Sequence, residues 1–157
     1  MNKKDLKLQD FEGWQSANKS KYFSLFDYIS AMSKTSQKLT IDSWVAFSEI
    51  FLPSFIENDG HILVEECFKE KEQDYIKYIK EGLSKKEIET WINNISLDGL
   101  LYDLSGETDE ICTYIGEKIK LGWELKLKND FPNRKFTVAL QKDEDVSDFM
   151  LTCFEVN

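Results

Sequence analysis

The chain has 157 residues, of which 41% are hydrophobic and 31% are charged, and its formal net charge is −9. This length suits a single domain, and the apolar content is too high for intrinsic disorder. A sequence pI near 4.7 argues against binding to nucleic acid, because contacts with phosphates require a basic surface.

The first predicted elements are helices that follow a polar start. We expect residues 1–20 to be loosely ordered, and apolar residues at three- and four-residue steps predict a helix over residues 21–33. Thr40 or Asp42 can cap a second helix, which is predicted to end before Pro53.

A β-hairpin is predicted next, around the turn formers Asn58, Asp59 and Gly60. These residues lie between the apolar runs at 54–57 and 61–65. An Asp-Gly pair supplies the positive φ angles that a tight turn requires, so the two runs are predicted to pair as antiparallel strands.

Two helices are predicted in the middle of the chain. Residues 70–81 place apolar side chains at helical spacing, and this helix is predicted to end at Gly82. Ser84 followed three residues later by Glu87 is a capping-box pattern, which predicts that another helix begins there.

The longest predicted helix runs from Asp109 to about residue 130, and a second hairpin is predicted after it. Residues 136–140 and 149–154 alternate apolar and polar side chains, as half-buried strands do. Two hairpins and several helices predict one α+β domain over residues 1–157. We expect one antiparallel sheet of about four strands, with helices packed mainly on one face.

The net charge is concentrated in residues 87–117. This segment holds eight carboxylates and no Lys, Arg or His, whereas residues 1–86 carry 14 acids and 13 bases and residues 118–157 carry seven of each. Such a segment is predicted to form an acidic surface that steers a basic partner, although carboxylates of this kind can equally serve only to solvate a loop and cap a helix. A tryptophan within it is a candidate interface anchor, since aromatic residues are enriched in binding hot spots. The predicted partner-binding residues are Asp98, Asp103, Glu107, Asp109, Glu110 and Trp91.

A second acidic cluster lies at the tip of the second predicted hairpin. Its carboxylates are the type of ligand that Ca²⁺ requires, but the spacing lacks the Gly and the terminal Glu of an EF-hand loop. We therefore expect no metal and no cofactor, and we interpret the cluster as a charged turn that prevents edge-to-edge pairing. The cluster consists of Asp143, Glu144, Asp145 and Asp148.

No catalytic constellation is evident. His61 is the only histidine, and acid–base catalysis would require it beside a carboxylate such as Glu65 or Glu66 in a cleft, so a half-exposed strand residue is the favoured interpretation. The chain has no phosphate-binding Gly-rich loop and no hydrolase or metalloprotease motif. We therefore predict that it is not an enzyme.

Three cysteines and the absence of long apolar runs bear on where the protein works. The cysteines form no C-x-x-C pair and have no basic neighbour, so they are predicted to be reduced core thiols. No run approaches the roughly 18 apolar residues of a membrane-spanning helix, and the N-terminus lacks the apolar region of a signal peptide. We expect a cytoplasmic protein. The cysteines are Cys67, Cys112 and Cys153.

Two stretches resemble small bacterial α+β proteins that are loosely similar to toxin-immunity proteins. The first, SWVAFSEIFLPSFIENDGHILVEECF at residues 43–68, combines a Trp-bearing helix, a Leu-Pro stop and a strand broken at Gly60. The second covers residues 116–156 and contains GWELKLKNDFPNRKF. Immunity proteins neutralise a cognate toxin, so the resemblance implies an inhibitory role. The shared residues are turn and packing residues, and none is carried over as a site residue.

The sequence as a whole predicts a non-catalytic acidic protein-binding module. Its most concrete form is an immunity or antitoxin-type inhibitor that occludes a basic partner such as a toxin nuclease, as a monomer or a homodimer, without binding nucleic acid or membrane. Two alternatives remain open, a small enzyme that uses His61 with carboxylates and a structural subunit that assembles through an exposed sheet edge.

Overall fold

A computed structural model describes the chain at residues 9–18, 24–26, 28, 31, 40–97, 109–143 and 148–156. Five helices and five strands have described bounds. The helix predicted over residues 21–33 lies largely outside these ranges. None of the described helices has a stretch long and apolar enough to cross a bilayer. The helices are α1 Gln9–Ala17, α2 Ile41–Phe51, α3 Glu65–Glu81, α4 Lys85–Ile92 and α5 Asp109–Asp130, and the strands are β1 Phe55–Asn58, β2 His61–Val64, β3 Ile95–Ser96, β4 Lys135–Asp143 and β5 Asp148–Val156.

The α+β class is confirmed, but the prediction of one four-stranded sheet is wrong. The described strands form two antiparallel sheets, a two-stranded one of β1 and β2 and a three-stranded one in the order β3-β5-β4. The two predicted hairpins therefore belong to different sheets. The additional strand, β3, has only two residues and carries no alternation that a sequence pattern can detect.

Both predicted hairpins are confirmed. Asp59 and Gly60 adopt φ angles of 48° and 82°, the left-handed pair that a two-residue hairpin turn requires. In the second hairpin, β4 and β5 pair along nine residues each. Val138 lies opposite Cys153, and Leu140 lies opposite Leu151. Local turn chemistry and alternation thus determine both hairpins.

The predicted helix boundaries are mostly confirmed. Ser84 and Glu87 form the predicted capping box, in which each side chain accepts a hydrogen bond from the backbone N–H of the other. Gly82 ends α3 with a φ of 73°. The start of α3 differs from the prediction, because the helix begins at Glu65, directly after β2.

The chain divides into two compact units, residues 1–47 and 48–157, and the division falls within α2. Within residues 1–47, Trp14 and Phe11 pack against Tyr28, with ring centres 5.5 and 5.8 Å from it. Within residues 48–157, α5 packs on the inner face of the three-stranded sheet. The core residues of this packing include Ile119, Trp123, Leu127, Val138, Leu151 and Cys153.

Side chains of α4 and of the residue that follows it, rather than strand pairing, join the two sheets. Glu89 is 0% exposed, and its two carboxylate oxygens accept hydrogen bonds from the backbone N–H groups of Ile62 in β2, at 2.9 Å, and Glu155 in β5, at 2.7 Å. One turn later, Asn93 accepts from Val64 N–H and donates to the carbonyl of Cys153. These side chains form hydrogen bonds with backbone groups that would otherwise pair β2 directly with β5. The two sheets therefore stay separate.

Candidate partner-binding site

Trp91 lies on the solvent side of α4 and is 56% exposed. The opposite side of this helix buries Ile88 and Ile92 in a small core formed with β2 and α3. Because residues four apart lie on the same helix face, Glu87 and Trp91 are neighbours on the exposed side. The tryptophan proposed from sequence as an interface anchor is therefore accessible to a partner.

An open groove of about 480 Å³ runs beside Trp91. Its volume falls within the range of ligand pockets, roughly 300–1,000 Å³. Along β5, Leu151 and Cys153 point into the core, so the alternating residues Met150 and Thr152 point to the opposite face of the sheet. The groove therefore lies on the face of the sheet that α5 does not cover. It is lined by Thr90, Trp91, Asn94, Gln141, Lys142, Met150 and Thr152.

Specific contacts hold α4 against this outer face. The Thr152 hydroxyl donates a hydrogen bond of 2.7 Å to the carbonyl of Thr90. The Lys86 ammonium lies 4.7 Å from the centre of the Phe154 ring, within cation–π range. Trp91 is thus presented by a helix whose position is fixed on both sides, as a preorganised binding surface requires.

Asn94, one of the residues that line the groove, carries a buried acceptor without a hydrogen-bond partner. In the described part of the chain, Asn94 Oδ1 is the one buried side-chain oxygen or nitrogen without a hydrogen-bond partner. The backbone carbonyl of the same residue accepts a hydrogen bond from Lys71. An unpaired buried acceptor costs about 1–3 kcal/mol, so this side chain lowers the stability of the fold locally, next to the groove.

The structure describes only part of the predicted acidic surface. Glu110 is exposed in the first turn of α5, and Asp109 is the first residue of that helix. Asp98, Asp103 and Glu107 lie outside the described residues. Within the described ranges no hydrogen bond, ion pair or ring contact joins Trp91 to Glu110, so the two belong to separate elements of the candidate site.

Other carboxylates of residues 87–117 have distinct roles. Glu87 is exposed, and hydrogen bonds from the hydroxyl and backbone N–H of Ser84 hold its pKa below the usual range. Glu117 is exposed on α5. Glu89 is buried between the two sheets, so it contributes to the fold and not to an acidic surface. Part of the charge that makes this segment conspicuous is therefore structural.

The sole arginine is the centre of an ion-pair network. Arg134 binds both carboxylate oxygens of Glu155, at 2.7 and 2.6 Å, and it also binds Glu57 at 2.9 Å and the carbonyl of Gly60 at 3.2 Å. Lys85 reaches Glu155 as well. The network ties β1 and the turn after it to β5 through the residue that precedes β4. Sequence reasoning missed it because its members are far apart in the chain.

Stability is expected to depend on this network at acid pH. The hydrogen bonds from Arg134, helped by Lys85, lower the pKa of Glu155 to about 2. A depressed carboxylate pKa stabilises the fold fully above its unfolded value, so this contribution should be lost as the pH falls from about 4.5 towards 2. We expect a loss of about 2 kcal/mol in the free energy of unfolding, measured by urea denaturation at several pH values.

Glu155→Gln is the control for this prediction. Its side chain cannot titrate, so the variant should start less stable at neutral pH and lose less stability than the wild type over the same interval. Equal acid sensitivity in the two proteins would show that other carboxylates account for the effect.

His61 is buried, which contradicts the expectation of a half-exposed residue. It is 8% exposed, and its Nδ1 lies 3.2 Å from the Tyr75 hydroxyl and 3.3 Å from the carbonyl oxygen of Asn58. The His61 and Tyr75 rings meet edge to face at 5.5 Å. These contacts give the imidazole a packing and hydrogen-bonding role below the hairpin turn.

The carboxylates that an enzyme based on His61 would use are engaged elsewhere. Glu65 and Glu66 form ion pairs with Lys69 at 2.9 and 2.8 Å. No ion pair or hydrogen bond joins His61 to a carboxylate among the described residues. The acid–base pair considered from sequence is therefore not assembled by these two residues.

The three cysteines are buried and form no disulfide, as predicted. Burial raises the pKa of Cys67 to about 11 and raises that of Cys153 well above its ordinary value, which disfavours the thiolate needed for nucleophilic attack. Their location in the core is consistent with a role in packing.

The second acidic cluster is described only in part. Asp143 and Asp148 are paired across the end of the β4–β5 hairpin, while Glu144 and Asp145 lie outside the described residues. Among the residues that are described, no three His, Cys, Asp or Glu side chains converge as metal ligands.

Comparison with known proteins found no matching family model, no similar curated protein and no similar solved structure. The function must therefore be inferred from the residues of the chain itself. The groove is the feature that best suggests a binding site. The sequence analysis did not predict that residues of β4 and β5 line it. Alternation along β5 does place Met150 outward, and pairing places Gln141 opposite it, but no sequence pattern brings α4 and Trp91 to the same face.

Proposed function

We propose that this chain is a cytoplasmic, non-catalytic, acidic protein-binding module, and specifically an immunity or antitoxin-type inhibitor that occludes a basic partner such as a toxin nuclease. The observation that carries the proposal is the exposed side chain of Trp91 beside an open groove. The excess of eight negative charges in residues 87–117 supports a basic partner.

Trp91 supplies the apolar part of the proposed interface. A tryptophan buries a large area on binding and keeps a polar N–H, and tryptophan is among the residues most enriched in hot spots. Around it, the amides of Asn94 and Gln141 and the hydroxyl of Thr90 supply polar groups that can fix the orientation of the partner. An aromatic centre with a polar surround is the usual anatomy of a protein interface.

The carboxylates supply long-range attraction in this proposal. Residues 98–110 and the exposed Glu87 and Glu117 would raise the rate of encounter with a positive surface, because complementary potentials act mainly on association. Once bound, the module inhibits by covering the basic surface of the partner. No chemical step is required of this chain, in keeping with the engaged His61 and the buried thiols.

A charge-neutralised variant tests the proposal once the partner has been captured with the wild-type protein and identified by mass spectrometry. Asp103, Glu107, Asp109 and Glu110 are changed together to Asn or Gln. We expect the association rate constant, measured by stopped flow at low salt, to fall by about tenfold and to become less sensitive to salt.

The matched control removes the same number of charges from another surface. Glu70, Glu72, Asp74 and Glu81 are exposed on α3, and changing all four to Gln or Asn removes the same number of negative charges. This control should associate at nearly the wild-type rate. An equal slowing of both variants would show that net charge alone steers association, and an unchanged rate in the first variant would refute an acidic interface.

A further inference from the structure

The three-stranded sheet ends in a long strand, β4, whose outer edge is unpaired in the part of the chain that the structure describes. β4 has nine residues and pairs with β5 on one side, and no strand among the described residues pairs with its other side. A typical strand has about five or six residues. An unpaired edge leaves a row of backbone N–H and C=O groups that can serve as a template for another strand.

We propose that this edge pairs with β4 of a second copy of the chain. The pairing is antiparallel about a two-fold axis that passes beside Ala139, the central residue of the strand. This register is the two-fold arrangement in which all nine residues of β4 are paired. Moving one strand along the other in either direction leaves residues at the ends unpaired. The register places Lys135 opposite Asp143, Phe136 opposite Lys142, Thr137 opposite Gln141, Val138 opposite Leu140, and Ala139 opposite itself.

The residue types of β4 complement one another in this register. Val138 and Leu140 belong to the inner row that packs with α5, so apolar residues meet apolar residues on that face. Thr137 and Gln141 meet on the outer face. The small Ala139 stands at the axis, where two identical side chains approach each other.

The ends of the strand specify a second copy rather than an unrelated strand. An antiparallel partner of β4 must present an acid opposite Lys135 and a base opposite Asp143, and β4 itself meets both requirements. In this register Lys135 of each copy stands opposite Asp143 of the other, and residues of opposite formal charge at facing positions stabilise a sheet. A self-complementary surface repeated by a two-fold axis is the usual basis of homodimers.

A lysine over an aromatic ring is already present within the sheet. Lys142 lies directly opposite Phe149 of β5, and its ammonium is 5.6 Å from the ring centre. Pairing with a second copy places Phe136 opposite the same lysine on its other side. Lys142 would then lie between two aromatic neighbours, which favours this register over pairing with a strand that lacks an aromatic residue there.

Dimerisation through β4 would extend the sheet to six strands, in the order β3-β5-β4-β4-β5-β3. A two-fold axis perpendicular to the sheet keeps each face on the same side, so both α5 helices cover one face. The two Trp91 grooves then lie on the other face, with Gln141 near the axis in each copy. The dimer therefore presents two equivalent grooves in one direction.

Charge reversal tests the register with the full chain. Lys135→Asp and Asp143→Lys each replace two attractive pairs by two repulsive ones, so each should raise the dimer dissociation constant about tenfold in sedimentation equilibrium. The double variant restores both pairs in reversed order and should dimerise within about threefold of the wild type. Trp91→Ser should dimerise normally, which separates this result from the proposed partner binding.

Folding of each variant is checked by circular dichroism and urea denaturation. Within the hairpin, residue 143 faces Asp148 and residue 135 faces Val156, so neither substitution creates a like-charge pair inside one chain. If Lys135→Asp folds poorly, Lys135→Gln removes attraction without repulsion and should weaken the dimer about threefold. A wild-type protein that stays monomeric at every concentration overturns the proposal, as does a double variant that fails to recover dimerisation.

Discussion

Replacing Glu89 with alanine is expected to lower the free energy of unfolding by about 4 kcal/mol. The carboxylate is completely buried and accepts hydrogen bonds from the backbone N–H groups of Ile62 and Glu155, which belong to different sheets. Alanine leaves both donors unpaired, at about 1–3 kcal/mol each, and also leaves a cavity. Urea denaturation followed by circular dichroism measures the loss.

Two companion variants separate this effect from general damage to α4. Glu89→Gln keeps the shape and one acceptor oxygen, so its loss should be roughly half as large. Glu87→Ala lies on the same helix but is exposed and removes only the capping box, at a cost of about 1 kcal/mol. If Glu89→Ala costs no more than Glu87→Ala, the buried carboxylate does not hold the two sheets together.

Gly122→Ala is expected to destabilise the protein by about 3 kcal/mol. A Cβ at this position of α5 would lie 2.0 Å from the carbonyl oxygen of Phe51, at the end of α2. The backbone of α2 is fixed close by, because the Trp123 indole donates a hydrogen bond of 2.9 Å to the carbonyl of Ile50. Neither segment can move aside without breaking this packing, so the added methyl group strains the core.

The control for this prediction is Gly13→Ala in α1. A Cβ there meets nothing within 4 Å. Alanine is the better helix former by about 1 kcal/mol, so this variant should be neutral or more stable. Differential scanning calorimetry on both variants gives the comparison, and a Gly122→Ala protein as stable as the wild type would mean that α2 and α5 are not in close contact at this point.

Local sequence chemistry predicted the elements that depend on neighbouring residues. The hairpin turn follows from the freedom of Gly60 and the tolerance of Asp59 for positive φ, and the start of α4 follows from the reciprocal bonds of Ser84 and Glu87. The pairing of β4 with β5 follows from strict alternation. Each of these features is decided within a few residues of the chain.

The features that the sequence did not predict depend on partners far along the chain. Glu89 was counted among surface charges because its two hydrogen-bond donors lie 27 and 66 residues away. His61 was expected to be half exposed because the residues next to it in sequence do not indicate that Tyr75 packs against it. The separation of the two sheets depends on the same hydrogen bonds to Glu89, so local sequence patterns could not predict it either.

The candidate site also has one part that the sequence predicted and one part that it did not. Trp91 was singled out from its residue type and its position in the acidic segment, and its exposure is consistent with that choice. The groove beside it is made by α4 together with β4 and β5, whose packing the sequence does not reveal. The acidic part of the site remains a prediction, with Glu110 exposed and Asp98, Asp103 and Glu107 outside the described residues.

The most direct measurement is the affinity of the captured partner for Trp91→Ser and Leu125→Ser. Both residues are large apolar side chains on helices, with nearly equal exposures of 56% and 57%, but only Trp91 lines the groove. We expect Trp91→Ser to bind at least about thirtyfold more weakly than the wild type, as loss of a hot spot does, and Leu125→Ser to bind normally. Wild-type affinity in Trp91→Ser, or a comparable loss in Leu125→Ser, would contradict a partner site at this groove.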